Sequence, residues 1–187
     1  MKIILASASP RRRELLGQLY SEFEIITAPT DETLPSDIHP SRGVEILAVK
    51  KGAPVAREYP DALVISSDTL VELDGVALGK PESEDDAARM LRSLSGRAHN
   101  VHTGVAVHYK GRVFSATATT AVIFKDMSDE DVDWYVSTGE CMDKAGSYAI
   151  QGLGGRFVSG YEGDYDTVVG LSMRTLKALI DEACADE

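Results

Sequence analysis

Positive charge and long apolar runs are both scarce in this sequence of 187 residues. Lysine and arginine together number 19 against 30 aspartates and glutamates, which gives a formal net charge of -11. Because such a chain repels phosphate backbones at long range, we expect no nucleic-acid partner. The longest apolar runs, at 62–65 and 120–124, are far shorter than the roughly 20 residues that cross a bilayer. We therefore expect neither a transmembrane helix nor a membrane partner.

Cysteine and several common catalytic motifs are also missing or rare. The two cysteines, Cys141 and Cys184, lie far apart and form no CxxC pair. This sparse usage predicts free thiols and a cytoplasmic location, with a single disulfide as the alternative. The absence of GxSxG, GxxxxGK[ST] and HExxH disfavours a serine hydrolase, a P-loop enzyme and a zincin. The four histidines are spaced too irregularly to indicate a zinc site.

What the sequence does contain is typical of one globular domain over residues 1–187. Hydrophobic residues make up 43% and charged residues 26%, with 16 glycines and 7 prolines. Apolar runs or alternation predict strands at 3–6, 23–27, 62–65, 70–73, 76–78, 101–107 and 113–124. Helical spacing predicts helices after Ser9, Ser83, Ser128 and Ser172, and one over 43–56 that contains Gly52 and Pro54. The mixture predicts an α/β fold.

Three arginines stand in the predicted first turn of the first helix. Arg11, Arg12 and Arg13 follow Ser7, Ser9 and a proline. Cations are unfavourable there, because a helix N-terminus already carries partial positive charge and unpaired N–H groups. A bound phosphate would explain them, and a solvated basic turn is the alternative. Successive helical residues diverge by about 100°, so at least one arginine is expected to face solvent.

Carboxylates form the second signal. Asp68 lies in a polar segment, 66–69, between two apolar runs, where we expect it to meet a metal, a base or a catalytic water. A turn aspartate bonded to local backbone is the alternative. Asp31 and Glu32 are candidates for a shared Mg²⁺ site, or simply a solvated acidic loop. Lys51 and Lys80 are further candidate cations, with ordinary surface lysines as the alternative.

A series of motifs spread over almost the whole chain resembles the Maf family of nucleoside triphosphate pyrophosphatases. The segments are 7–16 (SASPRRRELL), 67–69 (SDT), 78–81 (LGKP), 90–96 (MLRSLSG), 143–152 (DKAGSYAIQG), 163–165 (GDY) and 169–171 (VGL). The resemblance implies an elongated mixed β-sheet flanked by helices, with two lobes around a central cleft, as in ITPase-like folds. It also implies hydrolysis between the α and β phosphates with a divalent cation, usually Mg²⁺ with Mn²⁺ as an alternative, and a homodimer.

The resemblance further assigns roles by position. Asp68 matches the family's proton acceptor, and Glu32 is a metal-side acid that would share the cation with Asp68. Arg12, Thr69 and Gln151 match positions tied to substrate selectivity, while Ser7, Arg11, Arg12, Lys51 and Lys80 fall in phosphate-side motifs. Whether Asp68 acts as general base or as metal ligand stays open.

The form of the 143–152 motif implies the branch acting on dTTP and UTP. The neutral amide of Gln151 both donates and accepts, which suits the carbonyl and imide N–H of uracil or thymine. A loop amide bonded to protein backbone is the alternative role for this side chain. Two other functions remain open at this point: a 7-methyl-GTP pyrophosphatase of the same family, and a non-enzymatic nucleotide-binding regulator of cell division.

Overall fold

The computed structural model describes residues 1–35 and 37–185. It contains one mixed, seven-stranded sheet flanked by helices, as the motifs predict. The strands are β1 (Ile3–Leu5), β2 (Glu24–Ile25), β3 (Leu63–Leu73), β4 (Val76–Leu78), β5 (Ala98–Tyr109), β6 (Arg112–Phe124) and β7 (Val158–Glu162). The α-helices are α1 (Pro10–Leu16), α2 (Pro40–Glu58), α3 (Glu84–Leu94), α4 (Asp129–Ser137), α5 (Tyr165–Val169) and α6 (Met173–Ala183). Short 3₁₀ turns occupy Glu140–Asp143, Ala145–Ser147 and Leu153–Phe157.

The pairing of β3 leaves part of one edge open. The strand order is β2-β1-β3-β5-β6-β7, with β4 also paired to β3. β5 covers one edge of β3 from position 64 to position 72. On the other edge, β1 pairs with positions 63–65 and β4 with positions 71–73. Among the described residues, no strand pairs with residues 66–70 on that edge, and this gap gives access to the middle of the sheet.

The polar segment 66–69 lies inside β3, whereas the sequence suggested a break between two shorter strands. The strand continues because each hydroxyl has a partner in the fold. Ser66 Oγ donates to the Ala48 carbonyl at 2.7 Å, and Ser67 Oγ donates to the Gly170 carbonyl at 2.9 Å. Buried polar groups that are hydrogen-bonded in this way need not interrupt a strand.

Helix boundaries follow local capping chemistry. The hydroxyls of Ser83, Ser128 and Ser172 accept N–H bonds at the starts of α3, α4 and α6, as predicted. Ser9 precedes α1, but its hydroxyl makes no capping bond. The helix predicted from residue 43 begins earlier, at Pro40, because the His39 ring accepts from the Ser41 N–H and proline suits the first turn.

The core consists of apolar clusters that lie on both sides of the open edge. One cluster packs beneath α3 and α4 and includes Leu91 and Tyr135. Another packs beneath α1 and α6 and includes Leu16 and Leu176. Ile150 contacts both clusters. Within the described ranges, every helix is too short or too polar to span a bilayer.

Candidate active site

A cleft of about 610 Å³ lies at the open edge of β3, between the two apolar clusters. The residues predicted from the sequence that line it are Arg11, Arg12, Glu32, Lys51, Asp68, Thr69, Lys80 and Gln151. Ser7 borders a smaller adjoining hollow, which Arg12, Glu32 and Lys51 also line. The fold thus brings the predicted site residues together from segments spread along most of the chain.

Neighbouring residues of β3 contribute to the cleft from opposite faces of the sheet. Side chains alternate along a strand, so Asp68 and Thr69 point to opposite sides. Asp68 faces α2, where it meets Lys51, and Thr69 faces the α5 side, where it meets Arg12. Both side chains reach a single cleft because this edge has no paired strand in the described part of the chain.

An ammonium group bridges two carboxylates at the α2 side. Lys51 Nζ lies 2.5 Å from Asp68 Oδ1 and 3.2 Å from Glu32 Oε2. The Asp68 side chain is 10% exposed, whereas that of Glu32 is 59% exposed. Among the described residues, Lys51 is the one hydrogen-bond partner of the Asp68 carboxylate. The second carboxylate oxygen thus keeps its lone pairs for a ligand in the cleft.

Two glycines bring α2 close enough for Lys51 to reach Asp68. A Cβ added at Gly52 would lie 2.4 Å from His108 Nε2 and 2.5 Å from Ser66 Oγ. One added at Gly104, the β5 residue opposite Asp68, would lie 2.2 Å from the Val44 carbonyl oxygen. The glycine that interrupts the helical pattern in the sequence is therefore required by the contact between helix and sheet.

The Arg12 guanidinium is held by three protein bonds. Nε donates to the Gly170 carbonyl at 2.8 Å, Nη1 to Ser7 Oγ at 3.2 Å and Nη2 to Thr69 Oγ1 at 3.3 Å. A guanidinium has five N–H groups, so two remain for a ligand. Burial lowers the pKa of Arg12, and the nearby Asp68 charge opposes this shift.

A chain of hydroxyls fixes which groups Thr69 can offer. Thr103, buried opposite Thr69 on β5, donates its hydroxyl hydrogen to the Thr167 carbonyl at 2.7 Å. The 2.9 Å bond between the two threonine oxygens must then be donated by Thr69. Because Thr69 also accepts from Arg12, a ligand finds only an acceptor there. Sequence reasoning did not identify Thr103, since a lone strand threonine carries no motif.

The three arginines of α1 differ in their surroundings. Arg11 lines the cleft, and its Nε donates to the Val169 carbonyl at 3.4 Å. Arg13 is exposed and lies outside the cleft, which confirms that the three side chains diverge. Carbonyls of the last residue of α5 and of the residue after it thus accept from Arg11 and Arg12 and stabilise part of the positive charge at the start of α1.

Lys80 and Gln151 are exposed residues on the wall formed by the loops after β4 and α4. In the part of the chain that the structure describes, neither side chain has a protein hydrogen bond, so the alternative of a backbone-bonded Gln151 amide is not observed. Lys144, which also lines the cleft, pairs with Asp143. Lys144 belongs to the 143–152 motif, but it was not predicted from the sequence as a cation of the cleft.

The residues fit a divalent cation at the Glu32–Asp68 side. Mg²⁺ is usually held by one or two carboxylates together with phosphate oxygens and waters, and two carboxylates converge here on one ammonium. Asp31 does not join them, because its Oδ1 accepts from the Thr33 N–H at 2.9 Å. Within residues 1–35 and 37–185, no cluster of three or more metal-ligating side chains occurs.

Comparison with known proteins identifies relatives over nearly the whole chain. The sequence profile of the family described as Maf-like protein matches residues 2–183. A dTTP/UTP pyrophosphatase of Pelotomaculum thermopropionicum is 48% identical over 181 residues, which cover 96% of this chain and 95% of that protein. One of Bacillus velezensis is 45% identical over 179 residues, with 95% of each covered, and one of Pyrococcus horikoshii is 43% identical over 180 residues, with 96% and 95% covered.

A solved structure shows the same fold at low sequence identity. The structure of the Staphylococcus aureus Ham1 protein aligns with 100% of this chain and 97% of its own, with a TM-score of 0.56 and 14% identity. At that identity, the likeness extends to the fold alone. It confirms the predicted mixed α/β architecture.

Proposed function

This chain belongs to the Maf family, and from that premise and the geometry of the cleft we propose that it hydrolyses dTTP and UTP to the nucleoside monophosphate and pyrophosphate. The names of relatives at 43–48% identity over nearly the full length support this activity. The observation that carries the proposal is the position of Asp68, buried in a cleft and paired with Lys51 beside cations that a triphosphate needs.

The charges of the cleft suit a triphosphate. A nucleoside triphosphate carries about four negative charges, and charge grows on the leaving pyrophosphate as the bond breaks. Four cations predicted to contact phosphate line the cleft, namely Arg11, Arg12, Lys51 and Lys80. The two free N–H groups of Arg12 suit a pair of phosphate oxygens, while the bond to Ser7 helps to fix the guanidinium.

The chemical step assigns a role to Asp68. The oxygen of a water attacks the α phosphorus, and the bond from that phosphorus to the oxygen bridging the α and β phosphates breaks. The bridging oxygen leaves with the pyrophosphate, and the water proton passes to Asp68 before release to solvent. Lys51 fixes one Asp68 oxygen, and the other, which has no protein partner in the described residues, is available to the water. Bound at Glu32 and Asp68, Mg²⁺ would neutralise phosphate charge and lower the pKa of a coordinated water.

Selectivity for thymine and uracil follows from the groups that remain free. The Gln151 amide, without a protein partner in the described residues, donates to a carbonyl and accepts from an imide N–H. Thr69 presents an acceptor alone, which also suits a donor on the ligand. Cytosine carries an acceptor at the ring nitrogen where thymine and uracil carry a donor, so the two classes of base require opposite orientations of the Gln151 amide.

Pyrophosphate release from a panel of triphosphates, with and without Mg²⁺ or Mn²⁺, tests the proposal. We expect hydrolysis of dTTP and UTP that depends on a divalent cation and exceeds that of CTP, GTP and 7-methyl-GTP. Equal or faster hydrolysis of 7-methyl-GTP would contradict the proposed preference for dTTP and UTP. Binding of nucleotides without any pyrophosphate release would contradict an enzymatic function and favour a nucleotide-binding regulator.

We also propose a homodimer in the cytoplasm. The family resemblance implies the dimer, and exposed aromatic rings of Tyr161 and Tyr165 provide apolar surface near the edge strand β7. Both cysteines are free, which suits a reducing compartment. Light scattering at micromolar concentration tests the dimer, and a monomer mass would contradict it.

A further inference from the structure

The side chain of Gln151 depends on its backbone for its direction. Gln151 is exposed in the cleft, and within the described residues its amide makes no hydrogen bond to the protein. Because no other protein group holds the amide, its position and direction depend on the backbone of the loop that carries it. Whatever holds residues 149–154 therefore determines which groups the amide offers to a base.

Two side chains from outside this segment hold it on both sides of Gln151. The Tyr135 hydroxyl accepts from the Ala149 N–H at 3.1 Å and donates to Glu140 Oε2 at 2.8 Å. Glu140 Oε1 accepts from the Leu153 N–H at 3.0 Å, and Oε2 accepts from the Gly154 N–H at 3.0 Å. Three backbone N–H groups of the loop are thus fixed by one tyrosine–glutamate pair.

The loop is wrapped tightly around this pair. A Cβ added at Gly152 would lie 2.1 Å from Glu140 Oε1, and one added at Gly154 would lie 2.6 Å from the Tyr135 hydroxyl oxygen. Burial raises the pKa of Glu140, but the bonds from Leu153, Tyr135 and Gly154 outweigh it and keep the pKa below its usual value. Glu140 is therefore ionised at neutral pH and accepts from all three donors.

The pair is itself anchored in the core. Tyr135 is fully buried on α4, and its ring packs edge-on against Phe157 with centroids 5.5 Å apart. Neither Tyr135 nor Glu140 lines the cleft, so neither contacts a ligand there. Hydrogen bonds to the loop backbone join the pair to the segment that carries Gln151. The charge of Lys144, which lines the cleft, also acts on Glu140.

We propose that Tyr135 and Glu140 are positioning residues that direct Gln151 toward the base and so set the selectivity between nucleotides. The inference rests on the proposed function, because it takes Gln151 as the residue that reads the base. It predicts effects on substrate recognition and little effect on the chemistry at Asp68, which lies on a different element.

Glu140→Gln and Tyr135→Phe test the proposal in the full-length protein. Each keeps the size of its side chain and removes bonds to the loop. We expect KM for dTTP and UTP to rise about tenfold, the equivalent of one lost hydrogen bond, with kcat within about twofold of the unaltered protein. The preference for dTTP over CTP should fall by a similar factor. Matched controls are Glu130→Gln and Tyr59→Phe, which alter residues outside the cleft and should change neither quantity.

A double-mutant cycle separates positioning from general destabilisation. If Glu140 acts through Gln151, Glu140→Gln should change the dTTP-to-CTP preference little once Gln151→Ala is present. Additive losses of preference, or a loss in kcat alone, would overturn the proposal. Tyr135→Phe in the same Gln151→Ala background provides a second cycle. This cycle can be measured even if the Glu140→Gln variant does not fold.

Hydrogen exchange gives a measurement independent of activity. We expect the amides of Ala149, Leu153 and Gly154 to exchange faster in both variants, while amides in β3 keep their protection. Unchanged exchange at these amides would overturn the proposal even if the unaltered protein hydrolyses dTTP and UTP. If the unaltered protein hydrolyses neither nucleotide, the proposed function fails, and the exchange measurement still decides whether the pair holds the loop.

Discussion

The charged side chains of the cleft carry a net positive charge, opposite in sign to the net charge of the whole protein. The chain carries a formal charge of -11, yet five cations and three carboxylates line the cleft where the family resemblance places a triphosphate. Lys51 contacts two of these carboxylates, so it reduces their repulsion toward a polyanion. The positions of these few bases, more than their number, allow an acidic protein to bind an acidic ligand.

Asp68→Asn tests the acid at the centre of this arrangement. Asparagine retains the shape but neither accepts a proton nor binds a metal strongly, so turnover should fall by about 10²–10⁴-fold whichever role Asp68 has. Pyrophosphate release measures turnover, and circular dichroism verifies that the variant is folded. Asp61→Asn, at an exposed position outside the cleft, is the control. Near-normal turnover in a folded Asp68→Asn variant would remove Asp68 from the mechanism.

His99 predicts a pH dependence of stability. It is buried against Phe124 and Tyr148, and burial lowers its pKa from 6.5 to about 4. The unfolded chain therefore binds a proton below pH 6.5 that the folded chain excludes. The free energy of unfolding should fall as pH drops from 6.5 to 4, by about 3 kcal/mol at most from this residue, and level off below.

Urea unfolding at a series of pH values measures this slope. His99→Gln should flatten it between pH 6.5 and 4, although part should remain because burial also lowers the pKa of His108. The same slope in the variant and the unaltered protein would contradict the role given to His99.

At the scale of elements, the contact of α2 with the sheet decides whether the acid and base of the site meet. The helix backbone lies directly on β3 and β5 at Gly52 and Gly104, and this approach sets the reach of Lys51. Glycine in a helix interior is intrinsically unfavourable, by roughly 0.5–1 kcal/mol relative to alanine. The close packing that it permits offsets this local cost.

Gly52→Ala should therefore destabilise the protein despite alanine's better helix propensity. The added methyl group would force α2 away from His108 and Ser66, with an expected loss of ~1–3 kcal/mol and lower turnover through displacement of Lys51. Thermal unfolding and pyrophosphate release measure the two effects. Gly160→Ala on β7, where an added Cβ meets no atom within 4 Å, is the control and should be close to neutral. A Gly52→Ala variant as stable as this control would contradict the packing argument.

At the scale of the whole molecule, the long strands join the two sides of the cleft. β3, β5 and β6 have 11, 12 and 13 residues, and the clusters beneath α3 and α6 both include side chains from β5. If the strands on one side of the cleft unfolded, the apolar cluster on the other side would lose some of its side chains. The prediction of one domain over residues 1–187 thus has a physical basis in the described residues.

We expect a single cooperative unfolding transition as a consequence. Far-ultraviolet circular dichroism and the fluorescence of Trp134, which lies beside Phe157 on the α4 side, should give the same midpoint in urea. Two separated midpoints would show that the sides unfold independently and would contradict the single domain.

Local signals in the sequence were enough to locate most elements. Serine caps predicted the starts of α3, α4 and α6, and period-two alternation predicted β5 and β6, because these features depend on neighbours in the chain. The start of α2 and the continuity of β3 were missed. Those depend on a histidine acting as cap and on hydroxyl partners on distant elements, which local patterns do not contain.

The sequence by itself determined which residues to expect at the site, and Arg11, Arg12, Asp68, Lys80 and Gln151 all line one cleft. Only the tertiary structure decided how they work together. An uncovered strand edge lets Asp68 and Thr69 act on one cleft from opposite faces, and the Tyr135–Glu140 pair fixes the Gln151 loop. The sequence specifies the residue types directly. An open strand edge and a long-range hydrogen bond exist only after the strands have paired and the helices have packed.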